Sequence, residues 1–85
     1  MYKLQYASRF EKCLEGIPKK DVVRILEKIT SLTKNPRQEG YEALSGQLKG
    51  LNRIRSGKYR IIYEIVDRVL VILIVRVAHR KEVYK

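Results

Sequence analysis

Residues 48–78 read LKGLNRIRSGKYRIIYEIVDRVLVILIVRVA, and this stretch decides the fold. It consists of three segments rich in Ile, Val, Leu and Tyr, and the short polar pairs Ser56-Gly57 and Asp67-Arg68 separate them. Runs of β-branched and aromatic residues between turn residues are typical of strands joined by tight hairpins. The pattern therefore predicts an antiparallel meander of three strands, at residues 48–55, 58–66 and 69–78.

The third of these segments is apolar at nearly every position up to Arg76. A strand with one solvated face alternates apolar and polar residues, so a strand without that alternation is buried on both faces. The third strand is therefore predicted to lie inside the sheet, with helices covering one of its sides.

Before the meander, the sequence predicts one strand and two helices. In residues 2–6, Tyr and Leu alternate with Lys and Gln, which is the pattern of a short strand with one buried face. Ser8 and Glu11 then have the spacing of a capping box, in which the two side chains bond free backbone amides at the start of a helix. A helix of about two turns is predicted to begin there.

The second predicted helix is amphipathic, begins at Pro18 and ends at Asn35-Pro36. Its apolar stripe has helical spacing and is formed by Val22, Ile25, Leu26, Ile29 and Leu32. Residues 37–47 have no clear period and are predicted to be a surface connection. The order is β-α-α-β-β-β, an α+β fold in which two N-terminal helices pack on a small antiparallel sheet.

The size and charge of the chain narrow its function. Its 85 residues are enough for one domain, and we assign residues 1–85 to it. Nineteen Lys and Arg against nine Asp and Glu give a net charge of +10. Residues 49–85 carry ten of the bases and only three of the acids. Such an excess on so small a surface favours a polyanionic partner.

Cysteine usage and hydropathy predict the compartment. Cys13 is the only cysteine, which excludes an internal disulfide, and no Cys/His pattern suggests zinc. The N-terminus has no signal-peptide pattern, and the longest apolar run, residues 69–75, is far shorter than the ~20 residues of a membrane helix. We expect a cytoplasmic protein with no membrane contact, no metal and no cofactor.

The first hairpin predicts a cluster of cations. With Ser56-Gly57 as a two-residue turn, Arg55 lies opposite Lys58, and Arg53 lies opposite Arg60; opposite residues share one face of a sheet. Like charges in such pairs are destabilising, so selection for stability alone would not gather four of them. We interpret this face as an anion-binding surface, and the solvated face of a basic protein is the alternative.

The other face of the same hairpin is predicted to pack on the helices with Ile54, Tyr59, Ile61, Tyr63 and Ile65. If Asp67-Arg68 is also a two-residue turn, Val75, Val77 and His79 join the cationic face. A loop one residue longer would place Arg76 there instead.

Two motifs resemble the RelE branch of the RelE/ParE toxin superfamily. The first, residues 50–63, reads GLNRIRSGKYRIIY, and the second, residues 77–84, reads VAHRKEVY. The family also has the β-α-α-β-β-β order and a Leu…Gly segment before its second strand, matched here by residues 44–46. The resemblance therefore covers nearly the whole chain.

This resemblance implies the toxin of a type II toxin–antitoxin pair that enters the ribosomal A site and cuts messenger RNA without a metal. In that family, the 2′-hydroxyl next to the scissile phosphate attacks it, which gives a 2′,3′-cyclic phosphate and a free 5′-hydroxyl. The implied partners are a RelB-like antitoxin, a 70S-type ribosome and mRNA. A homo-oligomer is not required.

The resemblance also implies a catalytic set. Arg53 stands where the family has a strand Lys or Arg, Arg60 matches the Arg of a Gly-x-Tyr-Arg motif, and Arg80 matches the C-terminal arginine. Tyr84 matches a tyrosine that stacks on the substrate base or helps proton transfer. Because arginine stays protonated at ordinary pH, we assign Arg60 and Arg80 to charge stabilisation and Arg53 to phosphate positioning. The acid–base role falls to Tyr84 or His79.

Other basic residues divide into two groups. Those on or beside the meander are predicted to bind RNA: Lys49, Arg55, Lys58 and Lys81. Those on the second helix are interpreted as a solvated surface, with ribosomal RNA as the alternative partner: Lys19, Lys20, Arg24 and Lys28.

Two other functions remain open. The ParE branch of the superfamily shares the fold but poisons DNA gyrase, and its chains usually lack the C-terminal motif seen here. A non-catalytic module whose positive face binds phosphates is the second.

Overall fold

The computed structural model of the chain describes residues 1–79. They form a five-stranded sheet with one α-helix packed against it. In chain order the elements are β1 (Lys3–Tyr6), α1 (Lys19–Leu32), β2 (Glu42–Ala43), β3 (Asn52–Ser56), β4 (Tyr59–Val66) and β5 (Val71–His79). Short 3₁₀ turns lie between them at Phe10–Leu14, Gly46–Leu48 and Asp67–Val69.

The strands lie in the order β1-β5-β4-β3-β2. β3, β4 and β5 form the predicted antiparallel meander, and β5 lies inside the sheet, also as predicted. β1 pairs with β5 in the parallel direction, with Lys3 opposite Val71. The sheet is therefore mixed, and the prediction of a purely antiparallel sheet is wrong. The residues of a single strand reveal that it exists, but they do not reveal its partner or its direction.

The first predicted helix is only a 3₁₀ turn, at Phe10–Leu14. Its N-cap residue is Arg9 rather than Ser8, and no side chain caps the turn. Arg9 has a φ of 65°, in the left-handed region, so the backbone changes direction there and leaves Ser8 outside the turn. The capping box does not form, and the prediction of two helices is wrong for residues 1–79. The second predicted helix is confirmed as α1.

The core lies between α1 and one face of the sheet. α1 contributes Ile25, Ile29 and Leu32, which are fully buried. Cys13, in the 3₁₀ turn before α1, is partly buried against the core. The sheet contributes Ile54, Ile61, Tyr63, Ile72, Ile74 and Val77. The prediction that the apolar face of the first hairpin packs on the helix is therefore confirmed. Leu26 was expected in the buried stripe but is 39% exposed, because it lies about 100° round the helix from Ile25.

Asp67 connects three segments of the chain. Its carboxylate accepts a hydrogen bond from Tyr2 Oη at 2.5 Å and another from Arg37 Nη2 at 2.8 Å. The bond from Arg37, followed by the bond from Tyr2, holds the pKa of Asp67 below its ordinary value. Arg37 and Asp67 are exposed, whereas Tyr2 is partly buried against the core, and together they anchor the start of the connection that carries β2.

Tyr63 links the core to the same connection, and its hydroxyl can be tested. Tyr63 Oη donates a hydrogen bond to the Pro36 carbonyl at 2.6 Å, and burial raises the pKa of Tyr63 to about 12. Tyr63→Phe leaves that carbonyl without its donor. We expect it to lower the free energy of unfolding by about 1–3 kcal/mol in urea denaturation at neutral pH.

The pH dependence of stability provides a second readout for this hydroxyl. In the unfolded chain the phenol ionises near its ordinary pKa of ~10, whereas in the folded protein it stays neutral up to about 12. Wild-type stability should therefore fall as the pH rises between these values, and Tyr63→Phe should lose this part of the fall. Tyr6→Phe, at a tyrosine that is 46% exposed, is the control. Equal alkaline sensitivity of Tyr63→Phe and wild type would contradict the prediction.

Candidate functional site

The β3–β4 hairpin places three arginines on the sheet face that points away from α1. Its two-residue turn is Gly57-Lys58, and Gly57 has a φ of 60°, as the first central residue of a type II′ turn requires. Arg60 therefore lies opposite Arg55, not opposite the predicted partner Arg53. Each of the three arginines pairs with a residue two positions away from its predicted partner. Because side chains alternate with a period of two, all three arginines keep their predicted face.

A β-bulge in β5 adds a fourth arginine to this face. Tyr63 pairs with Ile74, whereas Ile62 pairs with Arg76, so Val75 is an extra residue between them. Bulges are frequent beside functional sites, where they redirect a side chain. We call this side of the sheet the arginine face, defined by Arg53, Arg55, Arg60 and Arg76.

The bulge also determines the position of His79. His79 pairs with Tyr59 on the core side of the sheet, and their rings meet edge to face with centroids 5.3 Å apart. The prediction that Val77 and His79 join the cationic face together with Val75 is wrong. Val75 is the unpaired bulge residue, so the alternation reverses after it. Arg76 does lie on this face, but neither predicted loop is found: residues 67–70 connect β4 to β5, and the bulge rather than a loop one residue longer places Arg76 there.

A small cavity of about 70 Å³ opens on the arginine face. It is lined by Gly40, Glu42, Arg53, Ile54, Arg55 and Arg60. Glu42 Oε1 accepts a hydrogen bond from Arg53 Nε at 2.7 Å and lies 2.5 Å from Arg53 Nη2. Sequence reasoning missed Glu42, because the two residues of β2 are too few to show the period of a strand. The only sequence feature that could have pointed to Glu42 was its place in residues 37–47, directly before the cationic hairpin.

The remaining predicted site residues lie elsewhere. Lys58 is exposed in the hairpin turn, and Lys49 is exposed immediately after the 3₁₀ turn that precedes β3. Both therefore lie beside the arginine face rather than on it. Arg80, Lys81 and Tyr84 lie outside the described residues.

The cavity is suited to one phosphate group. Its volume of about 70 Å³ is several times the roughly 10–15 Å³ that a single water needs, so the cavity has room for a small anion. Guanidinium groups donate paired hydrogen bonds in the geometry that phosphate oxygens accept. Within residues 1–79, Arg55 and Arg60 form no ion pair, whereas Arg53 is paired with Glu42.

The described part of the chain shows neither a metal site nor a membrane-spanning helix. No group of three or more His, Cys, Asp or Glu side chains there is arranged to hold a metal ion. Its helices are also too short or too polar for any of them to cross a membrane.

Comparison with known proteins identifies the family. A sequence model described as "ParE toxin of type II toxin-antitoxin system, parDE" matches residues 4–84. The chain belongs to this toxin family. Among relatives of this ParE-family chain, Toxin RelG of Mycobacterium tuberculosis is 27% identical over 85 residues, which are 99% of this chain and 97% of RelG. The predicted membership of the RelE/ParE superfamily is therefore confirmed.

Solved structures agree with this assignment. The toxin–antitoxin complex RelBE2 of Mycobacterium tuberculosis contains a chain with a TM-score of 0.83 and 26% identity, covering 93% of this ParE-family chain and 98% of its own. The archaeal RelE–RelB complex of Pyrococcus horikoshii gives 0.80 and 30%, with 96% and 98% covered. Isolated Escherichia coli RelE, at 19% identity and a TM-score of 0.78, covers 98% of this chain and 88% of its own. At that identity, E. coli RelE shows the fold alone.

Proposed function

We propose that this ParE-family protein is a ribosome-dependent endonuclease that cleaves mRNA in the ribosomal A site. The observation that carries the proposal is the cavity on the arginine face, which three arginines line and which has room for a small anion such as a phosphate group. Its similarity to proteins named RelG and RelE supports the RelE branch. Two of the similar structures are toxin–antitoxin complexes, so we propose a RelB-like antitoxin as its partner and the cytoplasm as its compartment.

In the proposed reaction, the 2′-hydroxyl next to the scissile phosphate attacks phosphorus, and the bond from phosphorus to the 5′-oxygen breaks. Arg60 and Arg80 stabilise charge on the phosphoryl oxygens, and Arg53 positions the phosphate. Tyr84 or His79 moves the protons. The position of His79 on the core side of the sheet favours Tyr84 for this role.

The test is to map RNA 5′ ends on a message that is being translated, with purified protein freed of any antitoxin. Cuts within codons in the A site that require the ribosome are the expected result. Folded protein that makes no cuts would contradict the proposal.

Glu42 provides a test of the site that does not depend on cleavage. Its carboxylate occupies two donors of Arg53 that a phosphate needs. Glu42→Gln removes a competing negative charge. Because an exposed ion pair is worth up to ~1 kcal/mol, we expect this variant to bind single-stranded RNA about two- to five-fold more tightly. Fluorescence anisotropy with non-cleavable 2′-O-methyl RNA measures this change.

Glu11→Gln removes the same charge at an exposed position outside the cavity and is the matched control. Weaker RNA binding by Glu42→Gln than by Glu11→Gln would mean that Glu42 orients Arg53 instead of competing for it. Retained binding with lost cleavage would make Glu42 a proton acceptor in the reaction.

A second candidate function, poisoning of DNA gyrase, follows from the ParE description of the matching family. A supercoiling assay with purified gyrase distinguishes the two functions. We expect no inhibition at protein concentrations that give complete mRNA cleavage.

A further inference from the structure

A second and larger cavity lies on the helix side of the hairpin. It has a volume of about 390 Å³ and runs between α1 and the β3–β4 turn. α1 lines it with Arg24, Glu27, Lys28 and Ser31, and the hairpin lines it with Arg55 and Ser56. We call this cavity the helix–hairpin groove.

The groove is positively charged. Arg24, Lys28 and Ser31 are three or four residues apart, so they lie on one face of α1 and point into the same space. Lys28 Nζ lies 3.5 Å from Gln38 Oε1, and Arg24 is exposed. With Arg55, the groove has three cations and one acid, Glu27. This excess is suited to an anion larger than the small cavity can hold.

Arg55 lines both cavities. β2 pairs only with Asn52 and Arg53, so within residues 1–79 no strand covers the edge of β3 at Arg55 and Ser56. A chain of phosphates can therefore pass round this edge from the arginine face to α1. Gly57, which has no side chain, also lines the groove.

We propose that the helix–hairpin groove binds a second phosphate of the same single-stranded RNA, so that the RNA backbone runs from the small cavity over Arg55 to Arg24 and Lys28. This inference rests on the proposed function for the identity of the RNA. It assigns a binding role to two helix residues that the sequence pattern alone favours as solvated surface.

The test measures binding of non-cleavable 2′-O-methyl RNA of three and of eight nucleotides by anisotropy competition at several salt concentrations. The variant is Arg24→Gln/Lys28→Gln. The control, Lys12→Gln/Lys19→Gln, removes the same charge at exposed residues outside both cavities. Thermal melting confirms that each variant is folded, and Arg24→Gln alone replaces the double variant if that one melts early.

For the eight-nucleotide RNA, we expect the groove variant to bind roughly tenfold more weakly than the control. We expect its plot of log affinity against log salt to be shallower by about 0.7 for each lost phosphate contact. For the three-nucleotide RNA, the groove variant and the control should bind equally. Equal affinity of the two variants for both lengths would overturn the proposal and leave the groove as solvated charge.

The inference and the proposed function fail in distinguishable ways. Arg60→Ala should weaken both RNA lengths, because the first phosphate binds in the small cavity. If ribosome-dependent cleavage is absent, the dependence of binding on RNA length still tests the groove. If cleavage is present and length has no effect, only the groove is excluded.

Discussion

Arg60→Ala is expected to lower the rate of ribosome-dependent mRNA cleavage by about 10²–10³. Removing a single donor that stabilises developing negative charge has this effect in well-studied sites. Arg60 lines the small cavity, faces Arg55 directly across the hairpin and, within residues 1–79, forms no ion pair that would occupy its guanidinium. Single-turnover cleavage of a message bound in the A site measures the rate.

Arg68→Ala is the matched control. It removes the same charge from an exposed 3₁₀ turn that lines neither cavity, so cleavage should stay within about twofold of wild type. If the two variants cleave at equal rates, charge stabilisation does not come from this face. Thermal melting of Arg60→Ala separates a lost charge from a lost fold.

Ile61→Ala is expected to have the largest effect on stability. Ile61 is fully buried in β4 and lies opposite Ile54 and Val77, at the centre of the core. Truncating a buried isoleucine costs about 2–5 kcal/mol, whereas a domain of this size has about 4–13 kcal/mol in total. Urea denaturation monitored by circular dichroism should show a much lower midpoint and an unchanged slope.

Val23→Ala provides the control for this measurement. Val23 lies on α1 but is 49% exposed, and alanine has the higher helix propensity, so its stability should change by less than about 1 kcal/mol. Because Ile61 adjoins Arg60 and Ile62, its loss should also disorder the arginine face. If Ile61→Ala has the same urea midpoint as wild type, the core must be able to close around the missing atoms.

The sequence predicted the shared face of the three hairpin arginines because that face depends on alternation rather than on the turn. The turn is Gly57-Lys58 instead of Ser56-Gly57, yet Arg53, Arg55 and Arg60 still share a face. A change of one residue in the turn moves each cross-strand partner by two residues, which is one full period of a strand.

The features that the sequence did not predict depend on contacts between distant segments. The bulge at Val75 is defined only by the pairing of β5 with β4, which the residues of β5 alone do not reveal. It reverses the predicted faces of Arg76 and His79. Glu42 reaches Arg53 from a strand of two residues, which has no pattern of its own. The predicted capping box does not form because Arg9, the residue after Ser8, adopts a left-handed conformation and becomes the N-cap itself.

The parallel pairing of β1 with β5 has a consequence for the biosynthesis of this toxin. The first strand of the chain finds its partner only after the last described strand has been made. At roughly 5–20 residues per second, 85 residues take about 4–17 s to synthesise. Such long-range pairing also forms slowly. The nascent chain therefore cannot complete the sheet until β5 has been made, and Arg76 joins the arginine face only then.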